Sequence, residues 1–194
     1  IPGESGLASG ERTIDWVERH APAHSVGFGL GGPEIGVARP QFAEVFARAR
    51  ALGLHSVPHA GETTGPETVW DAVRTLGAER IGHGIAAASD PALMAHLAEH
   101  GVALEVCPTS NLRTRAVETL DAHPLPTLLA AGVPVSLNSD DPGMFGSTLG
   151  GEYAVARDVL GLDADTLVGL ARHSVEAAFV GAERRTELLA ELED

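Results

Sequence analysis

The sequence predicts an α/β fold with a parallel sheet, and three observations carry that prediction. Short β-like runs alternate with amphipathic helical segments, the pattern of successive βα units. Glycines stand just past the helical segments, where a left-handed residue stops a helix. Each β-like run closes on a group of glycines and polar residues, and parallel α/β enzymes gather their chemistry at the carboxyl ends of their strands.

In chain order, the opening Ile-Pro-Gly-Glu-Ser-Gly reads as a loop. Residues 11–20 form the first helix, with Ile14 and Val17 on one side, and residues 25–30 the first strand. Residues 41–52 are helical: Phe42, Val45, Phe46, Ala49 and Leu52 share a face, and Gly53 stops the segment. Residues 55–59 make the second strand. Pro66 suits a first helical position, Val69, Trp70, Val73 and Leu76 form the stripe behind it, and Gly77 ends it. Residues 80–83 are a short third strand. Asp90-Pro91 opens the next helix as cap and first turn, with Leu93, Met94 and Leu97 facing inward and Gly101 closing it. Residues 102–106 form the fourth strand. A helix near residues 125–131 leads through Gly132 to the fifth, at residues 134–138. From Glu152 onward the pattern is helical, with Leu167, Leu170, Val175 and Phe179 as expected core and a solvated acidic tail over residues 187–194.

No repeat, low-complexity tract or linker interrupts the chain, so residues 1–194 read as one domain. A hydrophobic content of 44% with 21% charged residues suits a globular protein and argues against disorder. No apolar run approaches the ~20 residues needed to span a bilayer. The single cysteine, Cys107, excludes an internal disulfide framework and a Cys-rich zinc cage. The formal net charge of −14 repels phosphate backbones, so neither nucleic acid nor a membrane is an expected partner. All 13 basic residues are Arg, which removes lysine Schiff-base chemistry. The cytoplasm is the expected compartment. Ile1 is not an initiator Met, and a further portion is expected before it.

The polar groups at the strand ends are more informative. The first strand runs into Gly-Leu-Gly-Gly-Pro-Glu at residues 29–34, and the second ends His59-Ala60-Gly61-Glu62. The third ends Gly82-His83-Gly84, the fourth Cys107-Pro108-Thr109-Ser110-Asn111, and the fifth Asn138-Ser139-Asp140-Asp141-Pro142. Taken alone, His59 is a hydrogen-bonded surface imidazole, Glu62 a cap or surface carboxylate, and His83 a turn residue bonded to main chain. Asp140-Asp141-Pro142 alone reads as a turn. Together, His59 and Glu62 fit a metal ligand beside an acid/base carboxylate. The paired Asp140 and Asp141 carboxylates repel, a cost relieved if one binds a cation. Gly29, Gly31 and Gly32 lack the dinucleotide-binding spacing. Cys107 reads as a small buried residue, Ser110 lacks a nucleophile-elbow context, and His96, His100, His123 and His173 read as structural or surface.

His59-Ala60-Gly61-Glu62, Arg80-Ile81-Gly82-His83-Gly84, Cys107-Pro108-Thr109-Ser110-Asn111 and Ser136-Leu137-Asn138-Ser139-Asp140-Asp141-Pro142, in this order and each on an expected strand end, resemble the adenosine and adenine deaminase family over roughly the whole chain. The resemblance implies a zinc-dependent amidohydrolase with a (β/α)8 TIM-type barrel, of which this chain would carry strands 4–8 and the C-terminal helices. Counting alone favours an open sheet of five or six strands, because a closed barrel needs eight strands and ~250 residues. Carried over by position, His59 and Asp140 would ligate zinc, Glu62 would protonate N1 of the purine, and His83 would help deprotonate the attacking water. Asp141 would bond N7, and the Gly32 main-chain N–H would bond N3. The implied reaction is hydrolytic deamination of a 6-aminopurine nucleoside, adenosine or a close analogue, with one zinc ion per complete enzyme.

The sequence departs from the family's pattern in places. The family's first-strand His-x-His pair does not occur in these 194 residues. A catalytic zinc takes about three protein ligands, so the isolated chain is expected to bind zinc poorly and to have little activity alone. Gly29 and Pro33 stand where adenosine deaminases often carry acidic residues, which keeps aminodeoxyfutalosine and free adenine open as substrates. A non-catalytic purine-binding relative and an open-sheet dinucleotide enzyme are the competing classes. The first would not need Glu62 and His83; the second needs a glycine fingerprint that the sequence lacks.

Overall fold

The computed structural model describes residues 6–193; the loop expected at residues 1–5 and the terminal Asp194 lie outside them. The chain divides between Leu93 and Met94 into two compact units. In the first, β1 (Gly27–Leu30), β2 (His55–Ala60) and β3 (Arg80–His83) lie parallel and neighbour one another in chain order. The register sets Leu30 opposite Pro58, His59 opposite Gly82 and Ala60 opposite His83.

Helices α1 (Gly6–His20), α2 (Ala43–Ala51) and α3 (Pro66–Leu76) bury their apolar stripes in this unit. The core gathers Ile14, Phe28, Leu30, Phe42, Val45, Phe46, Ala49 and Leu76. Phe46 meets Phe28 edge to face at 5.4 Å, a geometry worth roughly 1 kcal/mol beyond the buried area. α3 begins at Pro66 and stops at Gly77, which is left-handed at φ 63°, as expected.

Two expectations here need correction. α1 starts five residues before the expected Glu11, because Leu7 packs against the core while Gly6 and Gly10 thin out the apolar pattern. The segment expected at residues 41–52 opens as a 3-10 turn, Arg39–Phe42, with Pro40 in its first turn, and becomes α-helical only at Ala43. Leu52 falls past the end of α2, off its inward face, and is 48% exposed.

Helix α4 (Pro91–His100) is capped as expected: one Asp90 carboxylate oxygen accepts from the Ala92 and Leu93 N–H groups at 2.9 and 3.1 Å. In the second unit, β4 (Ala103–Val106) and β5 (Val135–Leu137) run parallel, with Leu104 opposite Val135 and Val106 opposite Leu137. The helices that follow the strands are α5 (Pro108–Arg113), α6 (Leu125–Ala130), α7 (Pro142–Phe145), α8 (Leu149–Asp158), α9 (Ala164–Glu176) and α10 (Ala182–Glu191). Thr148 caps α8 and Asp163 caps α9. α5 and α7 were not expected; each is a turn or so of helix opened by a proline, too short to show an apolar period. Of the four residues expected as core late in the chain, only Leu170 is buried; Leu167, Val175 and Phe179 stay partly exposed. α9 packs on β5 by one narrow face, so neighbouring apolar positions reach its margins.

His123, read as structural, is buried. Its Nδ1 accepts the Leu125 N–H at 3.1 Å, which leaves Nε2 to donate to Asn111 Oδ1 at 3.2 Å. Burial pushes its pKa down to about 4. Among the described residues, no helix is long and apolar enough to cross a membrane.

Candidate active site

The first unit brings three of the expected site residues together. Along β2 the side chains alternate: Ser56, Pro58 and Ala60 are buried, and His55, Val57 and His59 point to the other face. The ring of His59 lies over Gly82, its register partner. A Cβ at position 82 would fall 2.9 Å from both Cγ and Nε2 of that ring, so this ring position requires a glycine there. On another side the ring faces Gly31, where a Cβ would make only ordinary contact at 3.7 Å. The His83 ring meets His59 edge to face, with centroids 4.9 Å apart.

His83 is buried at 3% exposure and sits in the left-handed region at φ 62°, followed by Gly84 at φ 68°. That backbone re-aims the imidazole at the end of β3. It is held by Gly84 N–H donating to Ala60 O at 3.1 Å and Ala86 N–H donating to Gly61 O at 2.9 Å. The same bonds tie the end of β3 to the loop that carries Glu62. One Glu62 carboxylate oxygen stands 3.6 Å from His83 Nε2, and the Glu62 side chain is 14% exposed.

Sequence reasoning missed a buried ion pair behind this trio. Glu34 and Arg39, whose side chains are each 1% exposed, approach at 3.2 Å. Glu34 Oε2 accepts from the N–H groups of Glu62, Thr63 and Thr64 at 3.0, 2.9 and 3.2 Å, and from the Thr64 hydroxyl at 2.8 Å. Arg39 Nε donates to the His59 carbonyl at 2.9 Å, and its Nη1 donates to Val37 O. Burial draws the Arg39 pKa below its ordinary value, against the pull of Glu34. Glu34 was legible as the last residue of the first strand-end motif; nothing in the sequence marks Arg39 out among the other arginines.

The second unit holds the remaining acidic residues. Asp140, exposed at the end of β5, is left-handed at φ 55° and accepts from Ser110 Oγ at 2.6 Å. Ser110, set aside in the sequence as a nucleophile, therefore acts as a hydrogen-bond donor to a candidate ligand. Asp141 precedes α7, and its side chain does not cap that helix. A second missed carboxylate, Glu152, is 1% exposed and accepts the Thr109 N–H at 3.0 Å, which steadies the turn that presents Ser110. Cys107 is buried, as read. In the first unit, Gly32 follows β1, exposed at φ 96°, a backbone conformation that suits glycine.

Each unit by itself offers a donor type that zinc takes: in the first, the His59 imidazole beside glycine backbone, and in the second, the exposed Asp140 carboxylate already oriented by a hydroxyl. Glu62 and His83 stand 3.6 Å apart at neighbouring strand ends, side-chain types and a spacing that suit acid/base chemistry.

Comparison with known proteins follows the same line. Residues 5–194 match the family model described as adenosine deaminase. The aminodeoxyfutalosine deaminase of Streptomyces avermitilis is 60% identical over 195 residues, covering 100% of this chain and 54% of that protein. The adenosine deaminase of Pectobacterium atrosepticum is 44% identical over 163 residues, 84% of this chain and 48% of its own length. The crystal structure of adenine deaminase from Arthrobacter aurescens superposes with a TM-score of 0.91 at 33% identity, over 100% of this chain and 57% of that one. The chain thus spans about half the length of the relatives it matches. The expected parallel α/β fold of the barrel class is borne out, with this chain carrying a part of it.

Proposed function

The chain belongs to the adenosine deaminase family, and from that premise we propose that the protein containing it hydrolyses the exocyclic amine of a 6-aminopurine nucleoside. The observation that carries the reading is the pairing of Glu62 with His83 across two strand ends at 3.6 Å, beside the His59 ring. Glu62 places a proton on the purine N1, which makes the adjacent C6 electrophilic. His83, fixed by its backbone and by burial, accepts a proton from the attacking water and steadies the oxygen as it adds. Asp141 and the Gly32 N–H orient the purine through N7 and N3. His59 and Asp140 would hold zinc, and zinc, when bound, lowers the pKa of a water towards ~7.

Two ligands fall short of the three a catalytic zinc takes, so in this reading the whole protein completes the site. The isolated 194 residues are expected to hold little zinc and to turn over slowly, if at all. Zinc near one per chain in pure material of this length would overturn that.

For the substrate, the 60% identity to an aminodeoxyfutalosine deaminase against 44% to an adenosine deaminase favours aminodeoxyfutalosine over adenosine. The test is ammonia release by the complete protein on aminodeoxyfutalosine, adenosine and adenine. The reading expects kcat/KM for the first to exceed the others by about 10²-fold or more. Preference for free adenine would overturn the nucleoside reading, and no release from any of the three would overturn the deaminase reading itself.

A further inference from the structure

We propose that Glu34, locked in place by Arg39, is the positioning residue that holds Glu62 and His59 in working geometry. The inference rests on the acid/base role just given to Glu62, and it extends to residues that role does not involve. A buried carboxylate costs free energy unless its oxygens are satisfied. Glu34 offsets that cost unevenly: its Oε2 takes four donors from one short stretch, three consecutive backbone N–H groups from Glu62 to Thr64 and the Thr64 hydroxyl, while its Oε1 faces only the Arg39 guanidinium, at 3.2 Å. The first of those N–H groups belongs to the proposed proton donor itself. The Glu62 backbone is therefore anchored to a group that stays put while its side chain is left to face His83.

Arg39 makes the second connection. Its guanidinium pairs with Glu34 and at the same time donates to the carbonyl of His59, so the end of β2 and the loop after it hang on one buried charge pair. The pair is assembled locally: Glu34 opens a turn that the Val37 N–H closes on its carbonyl at 3.0 Å, and Arg39 opens the 3-10 turn that follows. The Arg39 Nη1 bond to Val37 O braces that same connection. Neither residue reaches a reacting atom; each acts through the backbone of one that does. Displacing a catalytic carboxyl by about 1 Å costs roughly 10²-fold in rate, which is the scale of effect expected.

The experiment uses the complete protein and Glu34→Asp, which keeps a negative charge opposite Arg39 but withdraws it from the loop amides. Expected are metal content and KM close to the parent, the latter within about threefold, with kcat lower by about 10²-fold. Backbone amides of residues 62–64 should exchange with solvent at least about tenfold faster, with β1 to β3 unchanged. A folded variant with kcat within about twofold of the parent overturns the proposal, as does a loss of kcat accompanied by uniformly faster exchange across all three strands. Should Glu34→Asp not fold, Thr64→Val removes one donor while leaving the charge pair intact. It should lower kcat by about 3- to 10-fold, with recovery in Thr64→Ser; equal activity in both would overturn the proposal. If the parent deaminates none of the purines, the functional reading has failed, and amide exchange decides alone: unchanged exchange at residues 62–64 in Glu34→Asp, or in Thr64→Val, rejects the anchoring role.

Discussion

His83 Nε2 and a carboxylate oxygen of Glu62 stand 3.6 Å apart, and they reach that spacing from two different strand ends. His83 closes β3, whereas Glu62 lies two residues past β2 on a loop tied to β3 by main-chain bonds. In the proposed reaction, proton traffic between substrate and solvent would run over this one short distance. Glu62→Gln keeps the shape and the backbone anchors but removes the transferable proton. In the complete protein it should cut kcat by about 10³-fold or more while zinc content stays at the parental level. Metal analysis beside steady-state kinetics checks this, and retained turnover would remove Glu62 from the mechanism.

Backbone strain at His83 makes a separate prediction. At φ 62°, asparagine is tolerated and a β-branched residue is not. His83→Asn and His83→Val should both lose activity, but Val should unfold at a free energy about 1–2 kcal/mol lower than Asn. Denaturant melts of the two variants decide it. Equal stability would mean that the backbone there relaxes without cost.

Gly61 gives a packing prediction. It is left-handed at φ 67°, and a Cβ there would run into Cγ2 of the fully buried Val69 and sit 3.2 Å from the Ala86 Cβ. Gly61→Ala should therefore destabilise the protein by about 2–4 kcal/mol, from strain and overpacking together. Gly36, also left-handed but with open space around it, should lose only about 1 kcal/mol on the same change. Thermal melts of the two variants separate crowding from backbone strain.

What the sequence made legible follows from where the information sits. The five strands, the stop at Gly77 and the Asp90 cap were readable because alternation, glycine and a capping carboxylate are local signals. His59, Glu62 and His83 were readable because each lies at or just past a strand end, and the fold carries strand ends to one another. Glu34 and Arg39 are near neighbours in the chain, but the groups they hold lie 20 to 30 positions away, and the sequence shows nothing of that reach. The same holds for Ser110 with Asp140, 30 residues apart. Leu52 failed for the opposite reason. Its periodicity was right, but the helix had ended before it, and a face exists only while the helix lasts.

His123 ties stability to pH, and the sign can be worked out. Its pKa lies at about 4 in the folded protein, against an ordinary value of 6.5, because burial disfavours the charged ring. Below pH 6.5 the unfolded chain takes up a proton that the folded chain refuses. The stabilisation is whole above pH 6.5, shrinks as pH falls, and is exhausted once pH drops below about 4. Between pH 7 and 4.5 it should amount to about 2–3 kcal/mol, the scale of a shift of this size. Carboxylates titrate in the lower part of that window too, so the measurement is a difference: urea unfolding of the parent and of His123→Gln at both pH values. The variant is expected to be less stable at pH 7, where a packed hydrogen-bonded ring has been lost, yet to lose less on acidification. Parallel pH dependence in the two proteins would show that His123 charges as freely in the folded state as in the unfolded one.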